Sequence, residues 1–165
     1  MSADTSPRPD VGDTMPDVAM EAPDGASVKP SDFAGKPLVM FFYPKDDTPG
    51  CTTENKDFTA LKGDFDAAGV ALLGVSKDPP AKHAKFIAKH DLAAPLASDK
   101  PADSGEDGIA DALGIWVEKN MYGRKYMGME RTTYLVDAKG KIAQVWRKVK
   151  VKGHAEDVLA AAKAL

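Results

Sequence analysis

The stretch LVMFFYPKDDTPGCTTE, residues 38–54, sets out the architecture of this chain. Its first six residues, Leu38 to Tyr43, form an unbroken apolar run, the mark of a strand buried on both faces of a sheet. A polar loop follows, and Thr48-Pro49 then carry a helix start. Threonine is a good N-cap, and proline is tolerated best in the first helical turn. Phe58, Leu61, Phe65 and Ala68 recur at steps of three, four and three, which predicts an amphipathic helix over 51–68. A strand feeding directly into such a helix belongs to an α/β sheet. The loop between them then lies at the strand's carboxyl edge, where open sheets of this class bind ligands.

Working outward, six of the twelve prolines fall within the first 37 residues. Residues 1–10 read as a flexible N-terminal tail, and residues 11–165 as one domain. Between Val18 and Lys29, the Pro23-Asp24-Gly25 turn separates two short extended pieces, a small N-terminal β-hairpin. Ser31-Asp32-Phe33 reads as a single helical turn. VALLGVS (70–76) is a second buried strand, and Pro79-Pro80 open a helix through His90 with Phe86 and Ile87 inward. LAAPLAS (92–98) is a short third strand. IADALGI (109–115) is a short helix running into a turn. TTYLVD and KIAQVWR flank Ala138-Lys139-Gly140 as an antiparallel hairpin. A last helix follows Gly153, its apolar face built from Val158, Leu159, Ala162 and Leu165. A β-α-β-α-β run followed by β-β-α predicts an α/β fold with a central mixed sheet and helices on both sides.

The 165 residues suffice to bury a real core, and 43% hydrophobic with 28% charged residues are ordinary globular values. A net charge of -3 without long runs of one sign gives no reason to expect nucleic acid or a membrane surface as partner. There is no apolar signal region and no apolar run long enough to span a bilayer. The single cysteine, Cys51, excludes an intrachain disulfide and a cysteine-based metal site. His83, His90 and His154 show no metal-ligand spacing and read as surface residues, the first two on one exposed helix face; no metal is expected. A free thiol without an export signal points to a reducing cytoplasm.

Cys51 sits in a polar, turn-like stretch instead of among core residues. Counting from an N-cap at Thr48, Cys51 is the third helical residue. A capping hydroxyl bonds the second or third N–H, so the Thr48 side chain is expected close to Cys51. The unpaired N–H groups and partial positive charge of a helix N-terminus favour a thiolate, and at such places cysteine pKa values fall well below ~8.5. An inert filler thiol is the plainer alternative. Asp46 and Asp47 would oppose a thiolate if they face it, so the site calls for a cation. Arg124, Lys125 and Arg131 are candidates. Arg131 is the best placed because it begins the strand RTTYLVD, although composition alone reads it equally well as an exposed basic residue.

Pro44-Lys45-Asp46-Asp47-Thr48-Pro49-Gly50-Cys51 resembles the active-site motif of the peroxiredoxins: Pro, three residues, Thr, two residues, Cys. The longer FFYPKDDTPGCTTE is most similar to the bacterioferritin comigratory protein, or PrxQ, branch. VGDTMPD, Arg131 to Asp137 and the closing KGHAEDVL resemble that branch in the same order. The resemblance implies a thioredoxin-like fold and a thiol-dependent peroxidase that needs no cofactor and reduces hydrogen peroxide and organic hydroperoxides. It implies that Cys51 is the peroxidatic cysteine and that Thr48 hydrogen-bonds the peroxide. Pro44 would shield the pocket, Arg131 would hold the thiolate and polarise the oxygens, and Glu54 would orient Arg131. A first-turn acidic residue favoured by the helix dipole is the plainer account of Glu54.

The chain departs from that branch at Lys56, where many members carry a resolving cysteine five residues after the first. Positions five apart on a helix differ by ~140° in direction and ~7.5 Å in rise, so joining them requires local unwinding. Without a second thiol, a sulfenic acid on Cys51 would have to be reduced by an outside thiol: thioredoxin, glutaredoxin or glutathione. The branch is often monomeric, so a monomer is expected, with a weak dimer as the alternative. A thiol redox sensor or chaperone with little turnover, or a monothiol glutaredoxin-like transferase, are the competing readings. Trp116 and Trp146 read as packing aromatics that can also report oxidation by fluorescence.

Overall fold

The computed structural model describes residues 8–165. A short N-terminal hairpin, β1 (Met20–Glu21) and β2 (Ser27–Val28), leads through a 3₁₀ turn at Pro30–Phe33 into β3 (Leu38–Phe42) and α1 (Pro49–Ala67). Then come β4 (Ala71–Ser76), α2 (Pro80–His90), β5 (Leu96–Ser98) and α3 (Ile109–Leu113). A second hairpin, β6 (Trp116–Met121) and β7 (Arg124–Met129), precedes β8 (Thr132–Val136), β9 (Ile142–Trp146) and α4 (His154–Lys163). Seven strands form one mixed sheet in the order β2-β1-β5-β4-β3-β8-β9. The pairs β3/β4 and β4/β5 are parallel, while β3/β8 and β8/β9 are antiparallel. This is the thioredoxin-like arrangement, with β3 an interior strand between β4 and β8.

The position of β3 explains its unbroken apolar run. All five of its residues are buried, and alternate side chains go to opposite faces. Val39 and Phe41 join Phe58 and Phe65 of α1, Phe86 of α2 and Val158 of α4 in one apolar layer. Leu38, Met40 and Phe42 join Ile109 and Leu113 of α3 and Tyr134 of β8 in the other. Phe41 stacks on Phe58 with ring centroids 4.3 Å apart and planes 14° from parallel. A fully buried side chain of this size contributes ~1.5–3 kcal/mol. That contact fixes the height of α1 over the strand feeding it.

Several expectations are corrected. The hairpin β6–β7 was not expected: its strands are half-exposed and show neither a continuous apolar run nor strict alternation. Its turn is Tyr122-Gly123, both at positive φ (53° and 80°), a two-residue geometry that usually selects Asn-Gly and here uses tyrosine. The third strand is limited to Leu96–Ser98. Leu165 lies beyond the end of α4 and is 56% exposed, so it is not part of that helix's apolar face. His83 and His154 are buried, not on the surface. Of the segment expected as a tail, residues 1–7 lie outside the described residues. Arg8 pairs with Glu130 at 3.1 Å and the Pro9 carbonyl accepts a hydrogen bond from Arg147.

Gly74, in the centre of β4, tests the packing. A Cβ there would come within 2.6 Å of the Phe41 ring and 2.7 Å of Leu96, contacts that neither neighbour can relieve without shifting. Gly74→Ala is expected to destabilise the fold by about 1–3 kcal/mol, lowering the melting temperature by roughly 2–12 °C for a chain of this size. Thermal denaturation followed by circular dichroism checks this; an unchanged midpoint would refute it.

Candidate active site

β3 ends at Phe42, and the chain then crosses the carboxyl edge of the sheet before turning into α1. Thr48 has the extended backbone of an N-cap (φ -97°, ψ 155°), Pro49 opens the helix, and the Thr48 carbonyl accepts the Thr52 N–H at 2.8 Å. The Thr48 hydroxyl behaves differently from the expectation. It donates back to the Lys45 carbonyl at 2.8 Å, closing the loop, and does not cap the helix. The helix therefore begins without a side-chain cap, and its first N–H groups stay available to a ligand oxygen.

Cys51 is 1% exposed and points to the α1 face that packs on the sheet. Asn55, one turn on, donates its side-chain N–H to the Cys51 carbonyl at 2.9 Å. Arg131 immediately precedes β8, and the antiparallel register that pairs Phe42 with Thr132 sets it beside the end of β3. Its guanidinium reaches two groups of α1. Nη2 donates to Cys51 Sγ at 3.3 Å and Nη1 donates to Glu54 Oε1 at 2.6 Å. Three residues apart on a helix, Cys51 and Glu54 share a face, so one planar fork engages both. Burial works against the Arg131 charge, but the neighbouring Glu54 and Cys51 outweigh it and hold the guanidinium firmly protonated. Arg124 and Lys125, the other candidate cations, are exposed on β7.

Glu54 is 1% exposed. Burial pushes its carboxyl up to about 7 despite the pull of Arg131, and its Oε2 has no hydrogen-bond partner among the described residues. Behind Arg131, Thr133 and His154 Nε2 share a 2.8 Å hydrogen bond. Burial, aided by the nearby Arg131 charge, lowers His154 to about 4, so it is a neutral packing group at physiological pH. Its ring meets Phe58 and Trp146 edge-on. Pro44 is half-buried at the start of the loop.

Asp46 and Asp47, which would oppose a thiolate, are both engaged elsewhere. Asp46 accepts from the Tyr43 hydroxyl and pairs with His83, and Asp47 pairs with Lys89 and His90. Two contributors were missed from the sequence. A Cβ at Gly50 would lie 3.3 Å from Arg131 Nη2, so this glycine leaves space for the guanidinium. Lys119 of β6 lies over Gly128 and donates to the Met129 carbonyl at 2.5 Å. Burial first, then the charge of Arg131, lowers its ammonium from the usual lysine range. Lys119 was not legible because no element was expected at 116–129 to carry it toward the site, and the need for Gly50 shows only in the packing of Arg131 against α1.

Glu54 makes a pH-dependent contribution. A carboxyl raised in the folded state stabilises the fold fully below its unfolded value of ~4.5, and that contribution is lost as pH rises through about 7. His154 has the opposite slope between about 4 and 6.5, so the comparison must isolate Glu54. The stability of Glu54→Gln relative to wild type should rise by about 1–3 kcal/mol from pH 4.5 to pH 7.5, read by urea denaturation at several pH values. A constant difference would refute the assignment.

The AhpC/TSA family model matches residues 11–145. The chain is 52% identical over 131 residues to Peroxiredoxin Bcp of Xanthomonas campestris pv. campestris, covering 79% of each. It is 42% identical over 150 residues to Peroxiredoxin Bcp of Bacillus subtilis, covering 91% of this chain and 92% of the relative. Among solved structures, a cysteine-to-serine mutant of Xanthomonas campestris Peroxiredoxin Q superposes with a TM-score of 0.83 at 45% identity, over 94% of this chain and 98% of the other. A corresponding type of mutant of Xylella fastidiosa PrxQ gives 0.85 at 35% identity, over 96% and 98%. Neither the sensor nor the glutaredoxin-like reading is favoured by these relatives. A lone buried thiol under an arginine fork, on a fold and sequence matched over most of the chain by such proteins, means that the chain belongs to the AhpC/TSA family as a peroxiredoxin of the Bcp (PrxQ) type, a thiol peroxidase without a resolving cysteine.

Proposed function

We propose that Cys51 is the peroxidatic nucleophile and that Arg131, Thr48, Pro44 and Glu54 serve it in distinct roles. The observation that carries this reading is the 3.3 Å contact from Arg131 Nη2 to Cys51 Sγ, with Glu54 fixing the other arm of the same guanidinium. The Cys51 thiolate attacks the terminal oxygen of a hydroperoxide. An S–O bond forms, the O–O bond breaks, and the departing oxygen leaves as water or an alcohol after taking a proton. Negative charge moves from sulfur to that oxygen, and donors already aimed at the site lower the barrier to its transfer. Arg131 and the uncapped N–H groups of α1 supply those donors. The Thr48 hydroxyl exchanges the Lys45 carbonyl for the peroxide, Pro44 limits water, and Glu54 orients Arg131.

The second half of the cycle needs a partner, because Cys51 is the chain's only thiol. An outside thiol attacks the sulfenic acid, releasing water and leaving a mixed disulfide. A second thiol resolves that disulfide and regenerates Cys51. Hydrogen peroxide and organic hydroperoxides are the substrates, and thioredoxin, glutaredoxin or glutathione is the reductant. The protein acts as a monomer in the cytoplasm. Among the described residues, no helix is long and apolar enough to cross a membrane.

Steady-state peroxide consumption with the three reductants compared side by side tests the cycle. At least one should sustain many turnovers per Cys51, and Cys51→Ser should abolish them. A single stoichiometric oxidation with every reductant would replace the enzyme by a sensor. For the site itself, Arg131→Ala should slow the reaction of reduced enzyme with peroxide by about 10² or more, followed as the tryptophan fluorescence change in stopped flow. A near wild-type rate would remove Arg131 from the mechanism.

A further inference from the structure

Between Pro44 and Thr48 the chain is gripped from one side by a single helix. Asp46 has a fully buried side chain, and three polar groups converge on this residue. The Tyr43 hydroxyl donates to Oδ1 at 2.6 Å, and His83 Nδ1 stands 2.7 Å from Oδ2. The Asp46 N–H donates to Asp78 Oδ2 at 2.8 Å, which also accepts from the Ser76 hydroxyl. Burial, and then the neighbouring Asp46 charge, push the Tyr43 hydroxyl well above its usual range, so it remains a donor. The other nitrogen of His83, Nε2, lies 3.1 Å from the Ala97 carbonyl of β5. Both partners of this imidazole are acceptors. Satisfying both contacts requires two protons on the Asp46–His83 pair; with one fewer, a ring lone pair would face an acceptor either at the 2.7 Å Nδ1 contact or at the 3.1 Å Nε2 contact. With those protons the pair is neutral overall, the form in which buried ionisable groups are tolerated.

The next residue is held by the same helix. Asp47 has a left-handed backbone, φ 61°, which costs a non-glycine residue ~1–2 kcal/mol. Such a conformation persists only where its surroundings impose it. Here Lys89 Nζ and His90 Nε2, both on α2, reach its carboxylate at 2.7 and 2.8 Å. His83 and His90, seven residues apart and so on one face of α2, thus hold two consecutive residues of the loop.

We infer that His83 is a positioning residue for the peroxide site, acting through Asp46 on the loop that carries Pro44 and Thr48. This rests on the reading of Thr48 and Pro44 given above. α2 then serves as a template: it fixes the loop backbone, and the loop sets the place of the Thr48 hydroxyl relative to Cys51. Misplacement by ~1 Å can cost about 10² in rate, so a template far from the thiol in sequence can govern the chemistry.

The test compares two reactions of Cys51 in the same variants. Reaction with hydrogen peroxide needs access to the buried thiol and the Thr48 hydroxyl in place; alkylation by iodoacetamide needs the access but not that hydroxyl. His83→Ala and Asp46→Ala should slow the peroxide reaction at least about tenfold while alkylation stays within about twofold. Asp46→Asn should restore most of the rate. An asparagine amide can donate to a neutral imidazole Nδ1, leave Nε2–H on Ala97, and still accept from Tyr43. A wild-type peroxide rate in His83→Ala, or a parallel fall of both rates, overturns the positioning role. Should His83→Ala fail to fold, the double variant Lys89→Ala/His90→Ala releases Asp47 nearer the surface. It should slow the peroxide reaction at least about threefold with little change in melting temperature, and a wild-type rate there overturns the proposal. Thr48→Val separates the two layers. If it reacts with peroxide at the wild-type rate, both readings fall; if it is slow while His83→Ala is not, only the template fails.

Discussion

One guanidinium joins the parts of this site that are farthest apart in the chain. Arg131 spans 80 residues to Cys51 and 77 to Glu54, and each of these contacts makes demands on the rest. The thiol must start a helix, so that backbone N–H groups share the work of the arginine. The glutamate must follow by three residues to meet the second arm of the fork. The arginine must immediately precede a strand antiparallel to the one that feeds the helix, since that register brings it to the sheet's carboxyl edge. Gly50 must lack a side chain. Burial makes these requirements strict, because a charge removed from water tolerates no loose partner.

Much of this was legible from residue order. LVMFFY announced the central strand, because a strand covered on both faces has no reason to alternate. Thr48-Pro49 announced the helix start and so placed Cys51 in its first turn. The peroxiredoxin motif directed attention to Arg131, which composition alone left among three cations. What was not legible depended on contacts between elements. The same helical spacing that read His83 and His90 as an exposed face also suits a face that grips a loop, and only the packing of α2 decides. The Thr48 hydroxyl has two acceptable uses, capping forward or closing backward, and the backbone of Lys45 chooses. The hairpin β6–β7 is too polar for either periodicity signal, and its tyrosine-glycine turn lies outside the usual vocabulary of such turns.

The missing second cysteine is a chemical difference within an unchanged frame. Lys56 is exposed on α1, and the superposition on relatives covers nearly the whole chain. A resolving thiol inside the chain is delivered at the high local concentration that covalent connection provides. A separate molecule must supply that encounter by diffusion, so the lifetime of the sulfenic acid depends on how much reductant surrounds the protein.

The near-complete burial of Cys51 turns the cycle into a question of volume. Sulfur carries in turn nothing, one oxygen atom, and then an entire thiol molecule. The first two states differ by less than a methyl group, so a closed site can hold both with small shifts. The third cannot be enclosed where only 1% of the residue reaches solvent, and close-packed interiors have no spare room to lend. Few restraints hold the start of α1 against such release: its first residue is a proline without an N–H, and the hydroxyl of its N-cap Thr48 is bonded only to the Lys45 carbonyl. Oxidation by peroxide and reduction by thiol thus ask opposite things of the same few residues: enclosure for one, release for the other.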